Sequence, residues 1–178
     1  YLHYNHWKGY SRWPSVDVET PGYRAPYNHI GYFDEGGYRF LGLVNSDDPE
    51  GAVWTGSNET GFSIMNTASY NLKDDDIKEM DQEGNLMRKA LESVSTVQDF
   101  EHFLDTLPRP IAVEANFGVI DAYGGAAYYE TSNERYYKKD ANDPNLAPEG
   151  YLIYTNFSFE GRTDEGKGYV RYENAKDL

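Results

Sequence analysis

The chain has 178 residues and a formal net charge of −14, with 39% hydrophobic and 16% aromatic residues, which predicts one globular domain with a substantial core. The negative charge disfavours nucleic acids and anionic membranes as partners because both would repel the protein, and no apolar run is long enough to span a bilayer. The chain contains no cysteine, which excludes disulfides, thiolate metal sites and cysteine nucleophiles within it.

The first 28 residues differ from the rest of the chain. They contain Trp7, Trp13 and three prolines, without a clear hydrophobic period. Proline at this density disfavours helices and central strands, so we predict an extended arm over residues 1–28 that docks on a domain over residues 29–178. The sequence shows no signal peptide, although export after removal of one is compatible with it, so the compartment is left open.

Three short strands are predicted next. The apolar run 37–45 predicts a mostly buried strand, and the turn-forming residues 46–51 separate it from a second strand at 52–56. A third strand is predicted at 62–70. Connections as short as these indicate antiparallel neighbours.

The hydrophobic period then becomes helical. The apolar residues of a first helix recur at helical spacing: Leu86, Met87, Ala90 and Leu91. A second helix is predicted to begin near Ser95 or Thr96, where Thr96 and Asp99 approximate a capping box, and to end before Pro108.

Neither a metal site nor a cofactor site is expected. The aspartates 74–76 could bind a hard cation, but they lack the ligand spacing of a calcium loop, and their position before a helix favours capping. The histidines are scattered along the chain at positions that form no cluster, namely His3, His6, His29 and His102. We expect structural or solvated roles for them.

Strands resume after the helices. They are predicted at residues 114–120 and 126–131, joined by a hairpin at 121–125, with a short strand at 135–137 and a buried strand at 151–157. Strands followed by helices and then by more strands predict an α+β fold, in which helices pack on an antiparallel sheet.

Two asparagines, Asn66 and Asn156, lie within predicted apolar strands. Asparagine is depleted in strands, and a buried amide must find hydrogen-bond partners. Such amides either bridge backbone groups or donate to an oxyanion that develops during amide chemistry. The residues alone leave both interpretations open.

Several runs resemble one family in their order and spacing. They are GLVN at 42–45, VWTGSNETGFSIMNTA at 53–68, NFGVIDAYGGAAYYE at 116–130 and YTN at 154–156. Together they resemble the acyl-coenzyme A:6-aminopenicillanic acid acyltransferase-like group, which is related to the choloylglycine hydrolases and the penicillin V acylases. The likeness covers about residues 28–172.

This resemblance implies the N-terminal nucleophile (Ntn) hydrolase fold, an αββα sandwich of two antiparallel sheets between helical layers. It implies a linear amide C–N hydrolase or acyltransferase that acts on small acyl amides without a cofactor. A processed N-terminal cysteine would attack the amide carbonyl, with its own α-amino group as the base. By position, Asn66 would help form the oxyanion hole, Asn156 would orient the nucleophile or the tetrahedral intermediate, and Arg171 would be the late active-site arginine.

The sequence departs from the family at the nucleophile. Tyr1 cannot replace a cysteine because its phenol is rigid and titrates near pH ~10, and Arg12 and Asp17 match the family's arginine–aspartate pair only loosely. We therefore expect a piece of a longer enzyme that is inactive alone. Two alternatives stay open: a binding module whose Trp7 and Trp13 stack on sugars or other flat ligands, or an inactive relative with a role in assembly, such as a homo-oligomer. The substrate is not readable from the sequence.

Overall fold

The computed structural model describes residues 28–46, 48–72, 82–163 and 165–177. All of the predicted arm except Asn28 lies outside the described residues, and with it His3, His6 and the two tryptophans proposed to bind ligands. The aspartates 74–76 also lie outside them.

Within these ranges seven strands form one antiparallel sheet whose spatial order is the chain order. The strands are β1 (Asn28–Phe33), β2 (Phe40–Asn45), β3 (Asp48–Asn58), β4 (Ser63–Ala68), β5 (Ala115–Ile120), β6 (Ala126–Thr131) and β7 (Tyr136–Asp140). Helices α1 (Glu83–Ser93) and α2 (Val97–Thr106) are inserted between β4 and β5, and α3 (Tyr169–Lys176) follows β7. The α+β class is confirmed. None of the described helices combines the length and apolarity needed to cross a bilayer.

One face of the sheet, which we call the helix face, packs against α1 and α2. Its core is closed by Phe100 of α2, which has no exposed surface. The predicted capping box begins this helix, since the Thr96 side chain accepts from the Asp99 N–H and the Asp99 side chain accepts from the Thr96 N–H. Both helices lie where the apolar residues predict them, and α2 also begins with its predicted cap, whereas Gln82, the N-cap of α1, makes no side-chain cap bond.

The opposite face, which we call the loop face, is covered over β5 and β6 by residues 151–162. The predicted strand at 151–157 is wrong, because this segment has no regular secondary structure. Instead it packs side chains on the sheet: the ring of Tyr154 stacks on Tyr128 of β6, with centroids 3.5 Å apart. The segment is rich in apolar residues because it is buried against the sheet, not because it is a strand of the sheet.

Three further elements differ from the sequence prediction. Strand β1 and helix α3 were not predicted, because neither carries a clear apolar period. Strand β3 begins at Asp48, inside the predicted turn, since Asp48 already pairs with Asn45 of β2. Pro49 is tolerated there because it lies at the start of the strand, where a missing N–H breaks few ladder hydrogen bonds.

Candidate functional site

Asn156 lies at the centre of the candidate site. It belongs to the irregular segment on the loop face and is 9% exposed. Its Nδ2 donates to the Ala68 carbonyl at 2.9 Å, and its Oδ1 accepts from Nη2 of Arg171 at 2.6 Å. Because a carbonyl only accepts and a guanidinium only donates, these two contacts fix which end of the amide is nitrogen. The structure thus brings two of the three predicted site residues together.

The approach of Arg171 depends on the backbone that precedes α3. Gly168 has a φ of +86°, in the left-handed region that favours glycine. A Cβ at this position would lie 2.7 Å from Nη2 of Arg171 and 2.9 Å from Oγ1 of Thr155. Thr155 also donates to the Gly168 carbonyl at 3.1 Å. A side chain at residue 168 would therefore push the arginine away from Asn156.

The Asn156 amide carries a second hydrogen besides the one that the Ala68 carbonyl accepts. An Asn NH₂ group carries two hydrogens, and the Ala68 carbonyl takes one of them. No acceptor for the second is found among the residues that the structure describes. Donation from the Arg171 guanidinium to Oδ1 polarises the amide and strengthens the NH₂ group as a donor.

The irregular segment is held in place by buried asparagines. Asn71 accepts from the Ser158 N–H and donates to the Ser158 carbonyl, both at 2.8 Å. Asn116 of β5 donates to the Phe157 carbonyl at 3.2 Å and accepts from the Ser158 hydroxyl at 2.8 Å. These side chains replace the partners that a neighbouring strand would offer, so the segment that carries Asn156 is fixed without belonging to the sheet.

Sequence reasoning missed Asn71 and Asn116. The signal that selected Asn66 and Asn156, an asparagine in an apolar strand, also applies to Asn116, which is fully buried in β5. Asn71 carries no such signal because it follows the end of β4, where asparagine is ordinary.

Asn66 is not brought to this pair. It is 6% exposed and lies on the helix face, opposite Phe117 across the β4–β5 pair. It borders a small cleft of about 20 Å³ together with Trp54 and Glu83. Its side chain makes no hydrogen bond to any described residue. The pleat of β4 therefore separates Asn66 from Asn156.

Two tyrosines line the loop face near the segment. Burial raises the pKa of Tyr128, whose hydroxyl contacts Oγ1 of Thr67. Burial also raises the pKa of Tyr154, and the negative charge of Glu130 adds to the effect. Both phenols therefore stay protonated at neutral pH and act as neutral hydrogen-bonding groups rather than as bases.

The other sequence candidates do not add to the site. The ring of His29 contacts the Ser46 hydroxyl at 3.0 Å on the exposed strand β1, and His102 lies on the exposed side of α2. Within the described ranges, no group of three or more histidine and acidic side chains could hold a metal ion. Arg12 and Asp17 lie outside these ranges.

No protein-family model matches the chain, and no curated protein sequence matches it. Solved structures do. The N-acylethanolamine-hydrolyzing acid amidase ortholog of Caenorhabditis elegans has a TM-score of 0.52 at 16% identity, over 74% of this chain and 58% of that chain. A variant of the conjugated bile acid hydrolase of Clostridium perfringens has a TM-score of 0.45 at 19% identity, over 59% and 36%. Penicillin V acylase of Agrobacterium tumefaciens has a TM-score of 0.44 at 15% identity, over 76% and 44%.

The chain thus spans less than two thirds of each of these solved structures, from 36% to 58% of their length. The likeness to the nematode amidase concerns the fold, because the sequences are only 16% identical. The described residues form one seven-stranded antiparallel sheet with helices on one face, whereas the sequence resemblance implies two sheets. This chain and the nematode amidase therefore share a fold over the part that the two chains have in common.

Proposed function

We propose that this chain forms the oxyanion-stabilising part of a linear amide C–N hydrolase, or of an acyltransferase of the same type. The observation that carries the proposal is the hydrogen-bonded series Ala68–Asn156–Arg171, which fixes a buried amide with one hydrogen left to donate. The fold shared with the nematode N-acylethanolamine-hydrolyzing acid amidase supports it. The substrate would be a small molecule with an acyl amide bond.

The chemistry needs a donor where negative charge develops. Attack on an amide carbonyl converts it into a tetrahedral intermediate whose oxygen carries the charge. The free hydrogen of the Asn156 Nδ2 would donate to that oxygen, and Arg171 would hold the amide in the donating orientation. One donor fixed in this way contributes about 2.7–4 kcal/mol to the transition state, roughly a hundred- to thousand-fold in turnover.

The attacking group would come from outside these 178 residues, since they contain no cysteine. The sequence resemblance implies a cysteine that is the first residue of the processed protein. Its α-amino group would serve as the base, because such an amine titrates near pH ~7.7–8.0, close enough to neutral pH for a fraction of it to be unprotonated and able to accept a proton. Asn66, which the sequence resemblance places in the oxyanion hole, has no part in this proposal, because its side chain lies on the helix face away from the Asn156 amide.

The proposal is tested on the natural full-length protein with a panel of N-acyl amides, following release of the amine. We expect Asn156→Ala to lower kcat about a hundred-fold or more with an intact fold by circular dichroism. The matched control is Asn145→Ala, because Asn145 is an exposed asparagine that bonds only within its own turn.

A second measurement addresses the nucleophile. We expect the mature protein to begin with cysteine by intact mass and N-terminal sequencing, and alkylation of that residue to abolish amide cleavage. Full activity of the 178-residue chain on its own would contradict the proposal, as would unchanged turnover in a folded Asn156→Ala variant.

A further inference from the structure

We propose that Glu130 is a positioning residue that holds both Asn156 and Arg171 in their working arrangement. This inference rests on the proposed function. Glu130 lies near the end of β6 on the loop face, opposite Asn116 in the β5–β6 register, and has no exposed surface. No lysine or arginine in the described part of the chain forms an ion pair with it.

This buried carboxylate accepts from two backbone groups of the irregular segment and also interacts with the Tyr154 phenol. One oxygen of Glu130 accepts from the Phe159 N–H at 3.0 Å, and the other accepts from the Glu160 N–H at 2.9 Å. A buried carboxylate is costly unless its oxygens are bonded, and charge-assisted bonds to N–H groups are stronger than neutral ones. Glu130 therefore fixes the segment three to four residues beyond Asn156.

Glu130 also influences the position of Arg171, through the aromatic side chains that pack between the segment and α3. The ring of Phe159, whose N–H is bound by Glu130, packs edge-on against Tyr172 of α3, with centroids 5.3 Å apart. Tyr172 also contacts Phe157 at 5.4 Å. Because Tyr172 directly follows Arg171, these contacts set where α3 lies and hence where the guanidinium meets Asn156. One buried carboxylate thus supports both members of the pair without touching either.

Asn71 and Asn116 hold the segment at residues 157, 158 and 162, whereas Glu130 alone bonds the N–H groups of residues 159 and 160. A glutamine at position 130 keeps the shape of the side chain but can accept at only one of its two ends. Its NH₂ group would face a backbone N–H, and two donors cannot bond each other. Glu130→Gln should therefore release this part of the segment while β6 itself is retained.

The experiment is a double-mutant cycle between Glu130→Gln and Asn156→Ala in the natural full-length protein. We expect Glu130→Gln alone to lower kcat roughly ten-fold or more with KM little changed, and to have little further effect once Asn156 is alanine, because it acts through that residue. Amide hydrogen exchange at residues 159 and 160 should accelerate in the single variant. The matched control is Glu160→Gln, which removes a neighbouring charge that pairs with Lys139 on the surface.

The two proposals fail in different ways. If Asn156→Ala leaves kcat unchanged, the oxyanion role fails. If Asn156→Ala lowers kcat but Glu130→Gln does not, or if the two effects multiply independently, the positioning role fails and the oxyanion role stands. Should Glu130→Gln not fold, Glu130→Asp takes its place in the cycle. Aspartate keeps the negative charge, but its side chain is one methylene shorter, so its carboxylate lies farther from the N–H groups of residues 159 and 160. Independent effects of Glu130→Asp and Asn156→Ala would overturn the inference equally.

Discussion

Asn66 and Asn156 have the same amide side chain, but they lie on opposite faces of the sheet and differ in their hydrogen-bond partners. Side chains alternate between the two faces of a strand, so Asn66 shares the helix face with Ile64 and Ala68, whereas Thr67 points to the loop face where Asn156 lies. Asn156 is held by an acceptor and a cation. Asn66 has no bonded neighbour among the described residues that would fix which way its amide points.

We expect Asn66→Ala to lower the free energy of unfolding by about 1 kcal/mol, as is typical of single substitutions, and to leave the turnover of the proposed amide cleavage close to that of the unmodified protein. The reason is that its side chain faces the helices rather than the Asn156 amide. Urea unfolding and amide-cleavage kinetics on the same preparation measure both quantities. A loss of kcat as large as that of Asn156→Ala, in a folded protein, would instead support the role that the sequence resemblance implies for Asn66.

Among the secondary-structure elements, the start of α2 is tied to the β5–β6 hairpin by one carboxylate. Asp121 accepts from the N–H groups of Tyr123 and Gly125 in the hairpin and from that of Val97 in the first turn of α2, each at 2.8 Å. Burial alone would raise the pKa of Asp121, but these three bonds outweigh it and leave the pKa below its ordinary value. The hydrogen bond from the Ser95 hydroxyl is the main cause of the lowered pKa of Asp99.

These lowered pKa values predict a loss of stability in acid. A carboxylate whose pKa is lower in the folded state stabilises the fold fully above its unfolded pKa of about 3.9, and this stabilisation is lost as the pH falls through the lowered value. We expect Asp121→Asn to cost about 1–2 kcal/mol at pH 7, because the amide accepts fewer of the three bonds. The difference from the unmodified protein should shrink as the pH falls below about 4.

Urea unfolding at a series of pH values measures this difference. The matched control is Asp143→Asn, since Asp143 bonds Asn145 within a turn away from any helix end. A difference between Asp121→Asn and the unmodified protein that stays constant down to acid pH would contradict the assignment.

The secondary-structure elements also differ in how far they could be predicted from the sequence. The capping box at Thr96 and the hairpin at residues 121–125 were predictable because their residues bond near neighbours in the chain. The irregular conformation of the segment at 151–157 was not predictable, because the ring of Tyr154 stacks on Tyr128, which lies far away in sequence. In the candidate site, the family resemblance selected Arg171, and it selected Asn156 together with the asparagine pattern in the predicted strand. Glu130 could not be selected, since a glutamate at a strand end looks exposed until its partners are known.

At the scale of the whole molecule, the two faces of the sheet are stabilised by different kinds of interaction. The loop face uses buried hydrogen bonds from asparagines and Glu130, whereas the helix face is an apolar core. The core is centred on Phe100, whose ring lies 5.9 Å from Phe62 of the β3–β4 connection, 6.1 Å from Phe117 of β5 and 5.2 Å from Tyr129 of β6. One side chain of α2 therefore contacts three parts of the sheet region.

This position predicts that the helical layer and the sheet unfold together. We expect Phe100→Ala to lower the free energy of unfolding by about 3–5 kcal/mol, through the lost burial and the cavity left between helix and sheet. Far-ultraviolet circular dichroism reports the helices, and near-ultraviolet dichroism reports the packed tyrosines of the sheet. The two urea transitions should coincide and shift together. Phe103 lies one turn along α2 and is only partly buried, so Phe103→Ala should lower the free energy of unfolding by clearly less than Phe100→Ala.

Separate urea transitions for the two probes would show that the helices and the sheet unfold independently. An equal loss of stability in Phe103→Ala would show that helix content, rather than the contact with the sheet, sets the loss.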